Sequence, residues 1–101
     1  MKGVVKDSFD IEGALTLEYG GAGTVVIVEL SPGDAAPSTG DPVLLQRADG
    51  WLYSGSAEDV RVEAAAGAIG LFLPGLRREQ VPVGSTLRWG SDIQALRNAV
   101  A

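Results

Sequence analysis

The chain has 101 residues, 46% of them apolar, enough for one domain with one core that buries roughly 65% of its unfolded surface. It contains neither histidine nor cysteine. That excludes imidazole general bases, Ser-His and Cys-His nucleophile pairs, zinc-thiolate sites and disulfides.

The formal net charge is −5, the wrong sign for non-specific binding to DNA, RNA or a membrane surface. The charge is uneven. Residues 1–63 hold eleven acids against Lys2, Lys6, Arg47 and Arg61, whereas residues 64–101 hold Arg77, Arg78, Arg88 and Arg97 against Glu79 and Asp92. No apolar run approaches the roughly 18 residues of a membrane helix, and the N-terminus lacks the order of a signal peptide. The expectation is a soluble, cytoplasmic protein. Fourteen glycines and five prolines, scattered singly, favour short strands joined by turns.

In chain order, Gly3 to Ile11 reads as a first strand. Ala14 to Tyr19 alternates, with Leu15, Leu17 and Tyr19 on one face, and so predicts a strand with one wet side. Gly20-Gly21-Ala22-Gly23 is a turn. Thr24 to Leu30 has the strongest β-propensity in the chain, with apolar residues on both faces, as in a central or doubly covered strand. These two runs are expected to form a hairpin.

Ser31 to Gly40 is a loop on composition. Pro42 lacks a backbone donor and so belongs at the first residue or the edge of the next strand, Val43 to Arg47. Asp49-Gly50 turns the chain into Trp51-Leu52-Tyr53. Ser54 to Ala57 is a polar link. Glu58 to Glu63 alternates, with Val60 and Val62 inward, and Ala64 to Gly67 is a loop. Ala68 to Leu73 is an apolar run short enough for a buried strand, broken by Pro74-Gly75. A charged step, Arg77-Arg78-Glu79, leads through Val81 to Gly84 into a last strand, Ser85 to Trp89. Ser91 and Asp92 then cap a helix that presents Ile93, Leu96 and Val100 as an apolar stripe.

The stretch Gly70-Leu71-Phe72-Leu73-Pro74-Gly75-Leu76-Arg77-Arg78-Glu79-Gln80-Val81-Pro82-Val83-Gly84-Ser85-Thr86-Leu87 resembles the second, β-barrel domain of elongation factor Tu and related translation GTPases. Phe9 to Gly13, Gly23-Thr24-Val25-Val26 and Thr39 to Val43 are similar to that domain's opening element, its "GTVV" strand and its "VGDxV" turn. Ala14 to Ala22 intervene between the first two, a departure from the family's order. The resemblance covers residues 23–89 and is strongest over 68–87. It implies an all-β fold, a closed antiparallel barrel of six to eight strands, here followed by the short C-terminal helix over residues 91–100.

No phosphate-binding "GxxxxGK[ST]" loop occurs, and no lysine follows Lys6. The expectation is therefore a barrel without the GTPase domain that accompanies it in translation factors, and without nucleotide hydrolysis. Asp7, Asp10 and Glu12 are near one another in sequence, but on a strand Asp7 faces away from the other two, and solvated surface is the plain reading. Neither a metal nor an organic cofactor is implied.

Two groups of residues are candidates for partner binding. Arg77 and Arg78 suit bidentate contacts to oxyanions; the competing reading is a capped turn with an ion pair to Glu79. Arg88 would extend that basic face. Trp51 and Trp89 suit stacking on a base or anchoring an interface; the competing reading is core closure with the polar edge at the rim. The expected function is a stand-alone, non-enzymatic binding module whose partner is a protein rather than RNA. RNA binding, or a homodimer through the helix stripe, are the alternatives.

Overall fold

The computed structural model describes residues 1–31, 33–63, 67–90 and 93. The fold is all-β. Seven strands make one antiparallel sheet: β1 (Lys2–Ile11), β2 (Gly23–Leu30), β3 (Pro42–Gln46), β4 (Leu52–Ser56), β5 (Glu58–Glu63), β6 (Ala68–Pro74) and β7 (Thr86–Trp89), in the spatial order β4-β3-β7-β1-β2-β6-β5. A five-residue helix α1 (Leu15–Tyr19) joins β1 to β2, and a 3₁₀ turn (Arg78–Gln80) lies between β6 and β7.

One buried cluster fills the concave side. It includes Val5, Val26, Val28, Val43, Leu45, Ile69, Leu71, Leu73, Leu87 and Trp89, so every strand pair from β3 to β6 contributes alternate residues. Val81 and Leu76, from the β6–β7 connection, close one end. That connection is pinned across β1 by Val5 N–H to Ser85 O (2.8 Å) and Gly84 N–H to Val5 O (2.9 Å). The register of β1 against β2 shifts between Val5 and Asp7. This bulge brings Ser8 to the buried side that Gly3 and Val5 occupy before it, while Ile11, buried too, belongs to the opposite face.

The expected barrel is not closed by backbone pairing. Among the described residues no ladder joins β4 to β5, the two edges of the sheet. The reason is the length of their connection. Only Ala57 separates them, too little for a hairpin, so the two strands continue one another across a corner instead of lying side by side. Ala57 is fully buried, donates to Asp41 O (2.8 Å) and accepts from Gly40 N–H (2.7 Å). Side chains span what the ladder leaves open: Tyr53 Oη on β4 donates to Pro74 O on β6 (3.1 Å). The Tyr53 ring reaches that carbonyl by lying over Gly55, where a Cβ would fall 2.6 Å from its hydroxyl.

Four local expectations need correction. Ala14 to Tyr19 is not a strand, and β2 pairs with β1 and β6 instead. Both neighbours of β1 and both of β2 are already taken, so a further strand there would have no ladder. A helix satisfies its own backbone, and Gly21 N–H caps it on Thr16 O (2.9 Å). In that helix Leu15 and Tyr19 share a side while Leu17 points away and is 89% exposed.

Val62 is likewise not inward. It sits on the edge strand and is 60% exposed, while Val60 packs against the main cluster. Ser54 to Ser56 are no link but part of β4, paired with Pro42 to Leu44. Trp89 is 2% exposed, with Nε1–H donating to Ala35 O (2.9 Å), so it is core and not surface. Pro42 does open β3, as its missing donor requires. The helix expected over residues 91–100 lies outside the described residues except for Ile93, which is buried in the main cluster.

Burial decides the cost of truncation. Leu45→Ala should lower the unfolding free energy by roughly 2–5 kcal/mol, and Val62→Ala by no more than about 0.5 kcal/mol, read from urea melts with unchanged m-values.

Candidate functional site

An antiparallel sheet normally buries one face and wets the other. Here the convex face of β1, β2 and β6 is apolar as well. Cross-strand register sets Phe9 beside Val25 and Phe72, and Asp7 beside Ile27, Gly70 and Arg61. Ile11, Val25 and Phe72 form a second buried cluster, against which Tyr19 and Ile27 pack. Phe72 can lie flat there because Gly23 offers no Cβ; one would fall 2.7 Å from the ring.

Helix α1 straps this face. Its Tyr19 ring stands 5.2 Å from that of Phe72, centroid to centroid, and covers only part of the cluster. What remains is a cleft of about 150 Å³ lined by Phe9, Tyr19, Val25 and Ile27, with Gly70 at its base and Asp59 and Arg61 at its rim. Phe9 is 44% exposed there, and Leu15 and Leu17 extend the apolar surface along α1.

Arg61 organises the rim. Its guanidinium lies 5.5 Å from the Tyr19 ring centroid and reaches Asp59 at 2.9 Å and Glu18 at 3.4 Å. These bonds, that to Asp59 foremost, raise the Arg61 pKa above its already high ordinary value, so it stays charged. Asp59 takes a positive φ (+46°) where the register of β5 against β6 shifts. A bulge with charged neighbours blunts that edge against pairing with another strand.

The residues singled out in the sequence do not assemble into one face. Arg77 and Arg78 are exposed at the corner after β6, and neither forms an ion pair among the described residues, Glu79 included. Arg88 is half-buried on β7, beside Lys2 at the start of β1 and Leu44 of β3. Arg78 meets Asp10 near the other end of β1, roughly 25 Å away at the rise of an extended strand. Trp89 is core. Trp51 is half-buried against the main cluster with the Arg47 guanidinium 5.0 Å from its ring centroid. It belongs to a self-contained hairpin tip, in which Asp49 pairs with Arg47 and accepts the Trp51 N–H (3.1 Å).

Asp10, passed over as solvated surface, anchors the arginine corner. Its Oδ1 accepts the Arg78 backbone N–H at 2.7 Å. The buried Thr24 hydroxyl lies 3.2 Å from the same oxygen and 2.9 Å from Leu76 O, its one proton serving either acceptor. Arg77 N–H donates to Gln80 Oε1 (2.8 Å), which completes the 3₁₀ turn. No spacing rule links Asp10 to Arg78 across 68 residues. By contrast, the apolar character of both faces of Thr24 to Leu30 did mark the convex face in advance.

Among the described residues no group of three acidic side chains is placed to hold a metal ion, and no helix is long and apolar enough to cross a membrane. Comparison with protein-family models, curated proteins and solved structures finds no match.

Two outcomes test these assignments. Asp10→Ala should cost about 1–2 kcal/mol and speed hydrogen exchange at the Arg78 amide, whereas Glu12→Ala should change stability by less than about 0.5 kcal/mol. The Arg47 hydrogen bond, helped by the Trp51 N–H, holds the Asp49 carboxyl below its ordinary 3.8. A depressed folded pKa gives a contribution fully present above the unfolded value and lost as pH falls through the folded one. The Trp51 backbone amide signal in NMR spectra should therefore shift below pH 3.8 in the native chain, and not in Asp49→Asn.

Proposed function

We propose that this chain is a non-enzymatic protein-binding module, acting in the cytoplasm, whose docking surface is the apolar convex face of β1, β2 and β6. The observation that carries the reading is the second apolar cluster on a face that an isolated antiparallel sheet would leave to water, with Phe9 half-exposed beside a cleft. The non-enzymatic part rests on the residue inventory, which lacks histidine and cysteine. Kinship with the second domain of elongation factor Tu-like GTPases is part of the proposal. Its support is the motif order over residues 68–87 together with seven antiparallel strands in one sheet.

Arg77 adjoins this face, since Arg77 and Ile11 line one shallow hollow together with Asp10 and Glu12. With Arg78 beside it in the chain, it supplies a charged margin at one end of the face. Arg88, Trp51 and Trp89 have no part in this surface.

Capture from host-cell lysate with tagged protein, with and without nuclease, tests the proposal. A protein partner should be recovered in both conditions, lost with Phe9→Ser, and weakened with Arg77→Ala/Arg78→Ala. Recovery that disappears with nuclease would put RNA in the partner's place. A protein partner indifferent to Phe9→Ser would remove this face from the function.

A further inference from the structure

Resting on the protein-binding reading, we propose that the convex-face cleft is the anchor pocket for one branched aliphatic side chain in a basic peptide segment of the partner. Three observations lead there.

The first is size. A cleft of about 150 Å³ is too small for a cofactor or a drug-sized ligand, which need roughly 300 Å³ or more. An apolar space near that volume takes a benzene-sized group, which is the bulk of a single Leu, Ile or Val side chain. Its walls (Phe9, Tyr19, Val25 and Ile27) are apolar, so what they reward is burial of hydrocarbon.

The second is Gly70. A glycine inside a strand weakens it and marks a place where something else approaches the backbone closely. Nothing in this chain requires glycine there. Its φ is not positive, and an added Cβ would meet only Ile27 Cδ1, at 3.4 Å, an ordinary contact. Gly23 and Gly55 differ in this respect, since the rings of Phe72 and Tyr53 occupy the space over them. Over Gly70 the space is vacant and forms the base of the cleft.

The third is charge. Asp59 lines the cleft, Glu18 joins it through Arg61, and Asp7 lies in the same cross-strand row as Ile27 and Gly70. Arg61 is the one basic residue that lines the cleft among the described residues, and it is already shared between two of these carboxylates. Lys6, the nearest basic neighbour in sequence, pairs with Glu29. An apolar hole with an acidic margin fits an apolar anchor flanked by Lys or Arg, and repels the same anchor flanked by acids.

The experiment is a titration of the isotope-labelled full chain by NMR with short acetylated peptides. The probe carries one central Leu among alternating Lys and Ser; the controls replace Leu with Ser, or every Lys with Glu. The Lys–Leu peptide should move the amide signals of Phe9, Ile27 and Gly70, and bind roughly tenfold or more tighter than its Ser counterpart. The Glu peptide should bind more weakly still. Gly70→Val fills the cleft with a residue suited to a strand and should abolish the response while the remaining spectrum is preserved. Glu18→Gln/Asp59→Asn should weaken the Lys–Leu peptide several-fold, the Asn tolerating the positive φ at position 59.

Equal binding of the Leu and Ser peptides, shifts confined to another surface, or a response that survives Gly70→Val would each overturn the inference. If it falls while the lysate partner still depends on Phe9, the docking face stands and only its occupant is wrong. If Phe9→Ser loses nothing, the face itself is wrong.

Discussion

A single residue, Ala57, governs the shape of this protein. With one residue between them, β4 and β5 cannot turn back on each other, yet they belong to opposite edges of a seven-stranded sheet. The sheet must therefore bend until its two edges meet at that corner. Burial of Ala57 and its two backbone hydrogen bonds to the Gly40–Asp41 segment hold the corner. The bend creates a concave side that a core of Val, Leu and Ile can fill, and it leaves a seam that Tyr53 spans with a side chain rather than a ladder.

The same bend explains the second apolar cluster. On the convex side the strands splay, and the adjacent strands β1, β2 and β6 carry Ile11, Val25 and Phe72 outward. Burying them requires a cover, and the nearest available chain is the β1–β2 connection. It folds into α1 because neither β1 nor β2 has a free side to take it as a strand. One turn of helix covers Phe72 with Tyr19 but cannot reach across β6, so the space over Gly70 stays open between Ile27 and Arg61. The cleft is thus a consequence of a short strap on a curved sheet.

The charged residues fall into local arrangements. Arg61 serves α1 and β5, Arg47 serves the β3–β4 tip, and Asp10 fixes the corner where Arg77 and Arg78 are displayed. Exposed pairs of this kind contribute little to stability. Their effect is positional. Arg61 in particular ties the edge strand to the strap on either side of the cleft.

The sequence by itself determined the class of the fold, most strands and the turns. β-Branched runs, period-2 alternation and Pro or Gly punctuation act within a few residues, so they can be read without knowing what lies across the sheet. It also marked Thr24 to Leu30 as apolar on both faces and Ala68 to Leu73 as a buried apolar run, the two strands that carry Val25, Ile27, Gly70 and Phe72. It misread Ala14 to Tyr19, because alternation shows which side chains are apolar but not whether a neighbouring strand has an edge to offer. Tertiary structure alone decided the uses of the polar residues. Register sent Arg88 and Arg78 to opposite ends of β1, burial took Trp89 out of play, and a contact across 68 residues made Asp10 the anchor of the arginine corner. Gly70 became the base of a cleft only when Ile27 and Arg61 arrived on either side of it, through pairings set by the curvature of the whole sheet.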